Sequence, residues 1–75
     1  MSNSEYEDFG RKASIIIKVS MARHQIKAPE LARLLNETGD SITPQQINNR
    51  LFKCNYKASW FIKVLTILGE NEIQL

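Results

Sequence analysis

Thr43-Pro44-Gln45-Gln46-Ile47-Asn48-Asn49-Arg50-Leu51-Phe52-Lys53 is the stretch that decides the fold. A threonine hydroxyl at a helix start accepts a hydrogen bond from a first-turn N–H that has no partner in the helix. Proline then takes the first helical position, where no N–H is missed, and Gln46 stands three residues after the cap, completing a capping box. The pattern predicts a helix to about Lys53, in which only Ile47, Leu51 and Phe52 are clearly apolar. Those three are expected to form one narrow buried stripe, with the rest of the helix in water.

Upstream, Ala28-Pro29-Glu30 opens another helix on the same proline signal, with Leu31, Ala32, Leu34 and Leu35 as its buried side. Asn36 to Gly39 ends it, because glycine readily adopts the left-handed conformation that closes helices. Asp40-Ser41-Ile42 is a short connection, with Ile42 plugging inward. Further back, Tyr6, Phe9, Ala13, Ile16, Ile17 and Met21 recur at helical spacing to about His24. Ser4 is the expected cap there, and Glu5, Glu7 and Asp8 suit the positive end of the helix dipole. Gly10 costs this helix about 1 kcal/mol relative to alanine, which either close packing or a weak helix start accounts for.

Downstream, Asn55-Tyr56-Lys57 is a turn, and a fourth helix runs from Ala58 to Leu68 with Gly69 as its stop signal. Phe61, Val64, Leu65 and Leu68 make one apolar face, and Trp60, Val64 and Ile67 a second. Ile73 and Leu75 alternate with polar residues at the period of a strand. The expected architecture is all-α: a compact bundle of four to five helices over residues 5–69, after a disordered stretch at 1–4. A tail at 70–75 has the pattern of a short strand. Leu31, Leu35, Ile47, Leu51, Phe61 and Leu65 are expected to share the core.

Seventy-five residues make one domain, and a chain this short buries only about 60% of its unfolded surface. That leaves no room for an enclosed active site. One cysteine, Cys54, excludes an internal disulfide and fits a reducing compartment. The longest apolar runs are of three residues, as at Ile15-Ile16-Ile17, far short of the roughly 20 residues of a membrane span or the roughly 7–15 of a secretory core. A soluble, cytoplasmic protein is expected, without membrane contact. The formal charge of +2 is unevenly placed, with −3 in residues 1–10 and −2 in the last seven. Residues 11–68 hold all ten bases against Glu30, Glu37 and Asp40, a balance of +7. A basic body between acidic ends suits a polyanion partner.

Catalytic chemistry has little support. His24 and Cys54 are each alone of their kind, and there is no Gly-rich phosphate loop and no metal-ligand spacing. No catalytic residue, metal site or small-molecule cofactor is expected. His24 at a helix C-terminus reads as a dipole partner, and Cys54 as a small packed residue. The third helix, by contrast, presents Pro44, Gln45, Gln46, Asn48 and Asn49 in its first two turns, where a groove-reading helix contacts base edges. Glutamine and asparagine pair a donor with an acceptor, the arrangement that grips adenine N6 and N7 together. Asparagine is a poor interior helix former, so four amides in five positions ask for a reason beyond solubility. Phosphate contacts are expected from Lys27, Arg50, Lys53, Asn55 and Lys57, with Arg50 alternatively covering the core edge with its stem.

From Ile26 onward the chain resembles the Cro and lambda-repressor-like helix-turn-helix domains. Leu31-Ala32 matches their second helix, Thr43 to Ile47 the start of their recognition helix, and Trp60 to Leu65 with Leu68-Gly69 their fourth. It is similar, more closely, to an uncharacterised family of small bacterial domains on that plan. That similarity runs through Leu31 to Leu35, Asn49-Arg50-Leu51, Ala58 to Ile62 and the ending from Leu68 to Leu75, about two-thirds of the chain. The resemblance implies sequence-specific binding of double-stranded DNA by a small bacterial, phage or plasmid transcriptional regulator, with Pro44, Gln45 and Asn49 as the positions touching bases. Two features depart from the pattern. The turn from Asn36 to Ile42 is longer than usual, and Ala28 stands where a phosphate-binding glutamine is common.

The rival expectation is a protein-interaction module that keeps this fold without DNA. A homodimer is also expected as a candidate assembly, on a surface made by Trp60, Ile67, Ile73 and Leu75.

Overall fold

The structure, a computed structural model, describes residues 2–70, with side chains described from Phe9 onward. Among them run α1 (Ser2–Arg23), α2 (Ala28–Glu37), α3 (Pro44–Lys53) and α4 (Ala58–Leu68), with no strand. The all-α bundle expected from the sequence is the fold observed. α1 starts at Ser2 and takes the expected Ser4 cap and residues 2–4 into its first turn. Ile73 and Leu75, and with them the strand expected of the tail, lie outside the described residues.

Each helix is followed by one left-handed residue: Gln25 at φ 57°, Gly39 at 103°, Cys54 at 55° and Gly69 at 96°. After α1, α2 and α4 two backbone bonds close the end in a Schellman pattern. They are Gln25 N–H to Ala22 O with Ile26 N–H to Met21 O, Gly39 to Asn36 with Asp40 to Leu35, and Gly69 to Thr66 with Glu70 to Leu65. Glycine holds this conformation freely, whereas a side chain with a Cβ pays about 1 kcal/mol. Gln25 is exposed. Gln25→Gly is therefore expected to stabilise the domain by about 0.5–1 kcal/mol, read as a raised thermal midpoint. A lowered midpoint would show that the unfolded state, not this strain, dominates.

α2 packs on α3 and on α4, and α1 packs along α4. The core they enclose is Ile17, Leu31, Ala32, Leu35, Ile42, Ile47, Leu51, Val64, Leu65 and Leu68. Five of the six residues expected to share it do so; the sixth, Phe61, is only half-buried against its edge. Leu34 is likewise half-buried. Phe52 is the clear correction, standing 83% exposed. Ile47 and Leu51 are one turn apart on the core face, and Phe52 lies about 100° further round the helix. Trp60 and Ile67, expected in a dimer surface, are half-buried against the core.

Two small hydroxyls stitch the non-local contacts. Ser14, buried on α1, donates to Leu51 O at 2.8 Å. Its one proton being so used, it accepts from the Tyr56 hydroxyl at 2.9 Å. Burial raises the Tyr56 pKa, and the Ser14 bond only partly offsets it. At Gly10, α1 comes so near the end of α3 that an added Cβ would sit 3.1 Å from Cys54 Cβ. Close packing, of the two explanations for that glycine, is what the structure contains.

The second hydroxyl, Ser20, donates to Glu70 Oε2 at 2.7 Å. Arg23 reaches the same carboxylate at 2.9 Å and His24 at 3.2 Å, so the end of α4 is clasped to the end of α1. The Ser20 bond first, then His24 and Arg23, hold Glu70 below its ordinary value of 4.5, against partial desolvation. The unfolded state thus binds this proton more tightly, and the clasp's stabilisation is present above about pH 4.5 and lost as pH falls through the lower folded value. Glu70→Gln is expected to make the acid limb of a stability–pH profile shallower. Superimposable acid limbs would remove the clasp from the pH dependence.

Candidate nucleic-acid interface

The connection from α2 to α3 spans residues 38–43, longer than a tight turn, yet it is well tied. Asn36 donates from Nδ2 to Ile42 O at 3.0 Å and accepts from Ile42 N–H at 2.8 Å, so one side chain pairs with a backbone as a strand would. Thr38 Oγ1 donates to Leu35 O at 2.7 Å. Lys63 on α4 reaches Asp40 at 3.1 Å. Ile42 is buried as expected, and its insertion sets where α3 begins.

The capping box read from the sequence is present. Thr43 Oγ1 accepts from Gln46 N–H at 3.1 Å, and Thr43 N–H donates to Gln46 Oε1 at 2.9 Å. This bond turns the Gln46 carbonyl oxygen back on the cap and away from a bidentate grip on a base. Pro44, Gln45, Asn48 and Asn49 are exposed along α3, with Ile47 and Leu51 holding the opposite side in the core.

Beside the second half of α3 lies a shallow open basin of about 260 Å³, lined by Gln46, Asn49, Arg50, Lys53 and Asn55. Two residues expected to touch bases and three expected to touch phosphates therefore share one concavity. Pro44, Gln45 and Asn48 stand outside it. So do Lys27 and Lys57, each at the N-cap of its own helix, α2 and α4, with no side-chain cap on the first-turn N–H groups.

Charge around this surface is set by which bases are already paired. Glu30 and Glu37 are both engaged by Arg33, at 3.6 and 2.7 Å, and Asp40 by Lys63. Lys27, Arg50, Lys53 and Lys57 make no ion pair among the described residues. The acids of the basic body are thus neutralised away from α3, and its bases are not.

Of the two roles open to Arg50, the structure contains the covering one. Its guanidinium lies 5.1 Å from the Trp60 ring centroid, a cation–π distance, and Trp60 in turn meets Tyr56 at 5.1 Å between rings. The sequence reading missed this pair, ten positions apart across a turn and so outside any periodic signal. It missed Ser14, Ser20 and Glu70 for the same reason. Among the described residues no three His, Cys, Asp or Glu side chains gather as a metal site. No helix among them is long and apolar enough to cross a membrane.

Residues 9–73 match the model of a family described as a domain of unknown function, DUF6471. The chain belongs to the DUF6471 family. No curated protein and no solved structure matches it significantly. The matched span takes in this DUF6471 domain from Phe9 on α1 to beyond α4, and so the whole α3 surface and its basin. Membership is compatible with the resemblance to an uncharacterised family of small domains.

Proposed function

We propose that this domain binds double-stranded DNA through α3, on the lambda-repressor-like helix-turn-helix plan, as a small bacterial transcriptional regulator or one carried by a phage or plasmid. The observation that carries the reading is the basin in which Asn49 adjoins Arg50, Lys53 and Asn55, on a surface whose bases have no acidic partner among the described residues. Gln45 and Asn49 are the base readers, because Gln46 is committed to the cap and Pro44 offers no donor. Lys53, Asn55 and Lys57 take phosphates as α3 ends and α4 begins, and Lys27 takes one at the start of α2, where the helix dipole favours an anion. Asn48 lies between these groups on the exposed face, and Arg50 contributes field from its seat on Trp60.

Mobility shift of the full chain on random-sequence duplex at low salt tests this, followed by selection of the preferred sequence. Binding that weakens with salt is expected, with a slope near −0.9 per phosphate contact. Lys53→Ala and Lys57→Ala should each weaken all sequences alike and reduce that slope by about 0.9. No binding at low salt would sink the proposal. It would leave the protein-interaction reading, which the 83% exposed Phe52 on α3 favours.

A further inference from the structure

Phe52 breaks the chemistry of the exposed side of α3. Gln45, Asn48 and Asn49 are polar and exposed, and Phe52 follows them at 83% exposure. Counted from Gln45, the other three fall at i+3, i+4 and i+7, one stripe of an α-helix. Gln45 and Phe52 are two turns apart and point within about 20° of each other. The end of α3 is not loosely packed, since the neighbouring Leu51 is 3% exposed. An aromatic ring left in water at the end of a row of amides gives the isolated domain nothing.

A helix that lies along the major groove reaches base edges with residues at i, i+3, i+4 and i+7. At about 1.5 Å of rise per residue, Gln45 to Phe52 spans about 10 Å, or about three base pairs at roughly 3.4 Å each. Asn49 and Phe52 are then about one base pair apart. Each standard base shows donors or acceptors in that groove, and the C5-methyl of thymine is the one apolar group among them. A phenyl ring laid on any other edge would cover polar atoms without pairing them, which is costly.

The surroundings of Phe52 favour nucleic acid over an apolar protein face. Lys53, next to it, lines both the basin on one side of α3 and the groove toward α1 on the other. Arg11 and Lys18 complete the rim of that groove, and no acid among the described residues lines it. An apolar ring set among three bases fits a partner that is apolar at one point and anionic around it. A thymine methyl flanked by backbone phosphates is such a partner.

Resting on the DNA binding proposed above, we infer that Phe52 is a specificity-determining residue that packs on the C5-methyl of a thymine, in the base pair next to the one Asn49 reads. The site therefore carries two neighbouring A·T pairs, one read through adenine by the Asn49 amide and one through thymine by Phe52. α3 then lies along the groove over its whole length, beyond the first two turns.

The test uses the duplex that the full chain prefers in selection, with each thymine in turn replaced by deoxyuridine. That exchange removes the methyl and leaves every hydrogen-bonding group in place. Mobility shift is expected to show one position, beside the pair whose discrimination Asn49→Ala relaxes, where the exchange weakens binding about fourfold. Phe52→Ala should bind the thymine and deoxyuridine duplexes equally, and Phe52→Leu should keep part of the difference. Its affinity for random duplex and its thermal midpoint should match those of the parent, which separates this contact from folding and from phosphate binding. Sequence-selective binding that ignores every thymine methyl overturns the contact and leaves the DNA reading standing. So does a methyl effect that persists in Phe52→Ala, or a loss in that variant that is equal on all sequences. No binding at low salt, or selection that returns no preferred sequence, overturns the contact together with base reading by α3.

Discussion

Leu51→Ala is expected to cost about 2–5 kcal/mol and to leave much of the protein unfolded at room temperature. Leu51 is 3% exposed, in a core of ten residues that draws on all four helices. Truncating it leaves a void that the four helices, held by their caps and by Ser14, can close only in part. A chain of 75 residues has roughly 4–11 kcal/mol of total stability, so the loss is a large fraction of the whole. Phe52→Ala, one residue further on, removes a larger side chain that is 83% exposed and should stay within about 0.5 kcal/mol. Urea unfolding followed by circular dichroism separates the two. Similar midpoints for both variants would mean that α3 is rotated relative to the placement described above.

Gln45→Ala and Asn49→Ala are each expected to cost about 1–3 kcal/mol at the preferred DNA sequence, roughly 5- to 150-fold in affinity. Affinity for random duplex should hardly change, because phosphate contacts supply it. The two side chains stand four residues apart on one exposed face of α3, and neither makes a side-chain hydrogen bond among the described residues. Gln46→Ala is the instructive companion. It removes the reciprocal half of the capping box and should lower stability more than specificity. Equal loss on all sequences for Gln45→Ala and Asn49→Ala would show that these amides do not read bases.

Helix boundaries were legible because their signals are local. Thr43 with Gln46, Pro29, Gly39 and Gly69 each act within a few residues, and the helices start and stop where those residues sit. Burial along α2 was nearly as legible, since Leu31 and Leu35 are one turn apart. Phe52 was misassigned because an aromatic next to Leu51 counts as apolar wherever it points. That Trp60 and Ile67 are half-buried was not legible, because nothing in α4 itself reveals that α1 lies along it. The half-exposed Ile15 and Val19 went unread around a run of three isoleucines whose middle and last members alone turn inward. In the candidate site, the amides and lysines were legible as types. Their division into cap, aromatic cover and open basin was not, because it depends on which side chains arrive from other helices.

The close approach of Gly10 to Cys54 makes the protein its own reporter. Cys54 is the single thiol in the chain, half-buried where α1 crosses the end of α3. An alkylating reagent added to the folded protein meets that thiol fully only when the crossing lifts. The modification rate, compared with that of the unfolded chain, then reads the free energy of this local opening. Followed as a function of urea, it distinguishes release of α1 alone from unfolding of the whole domain, with no label or substitution introduced.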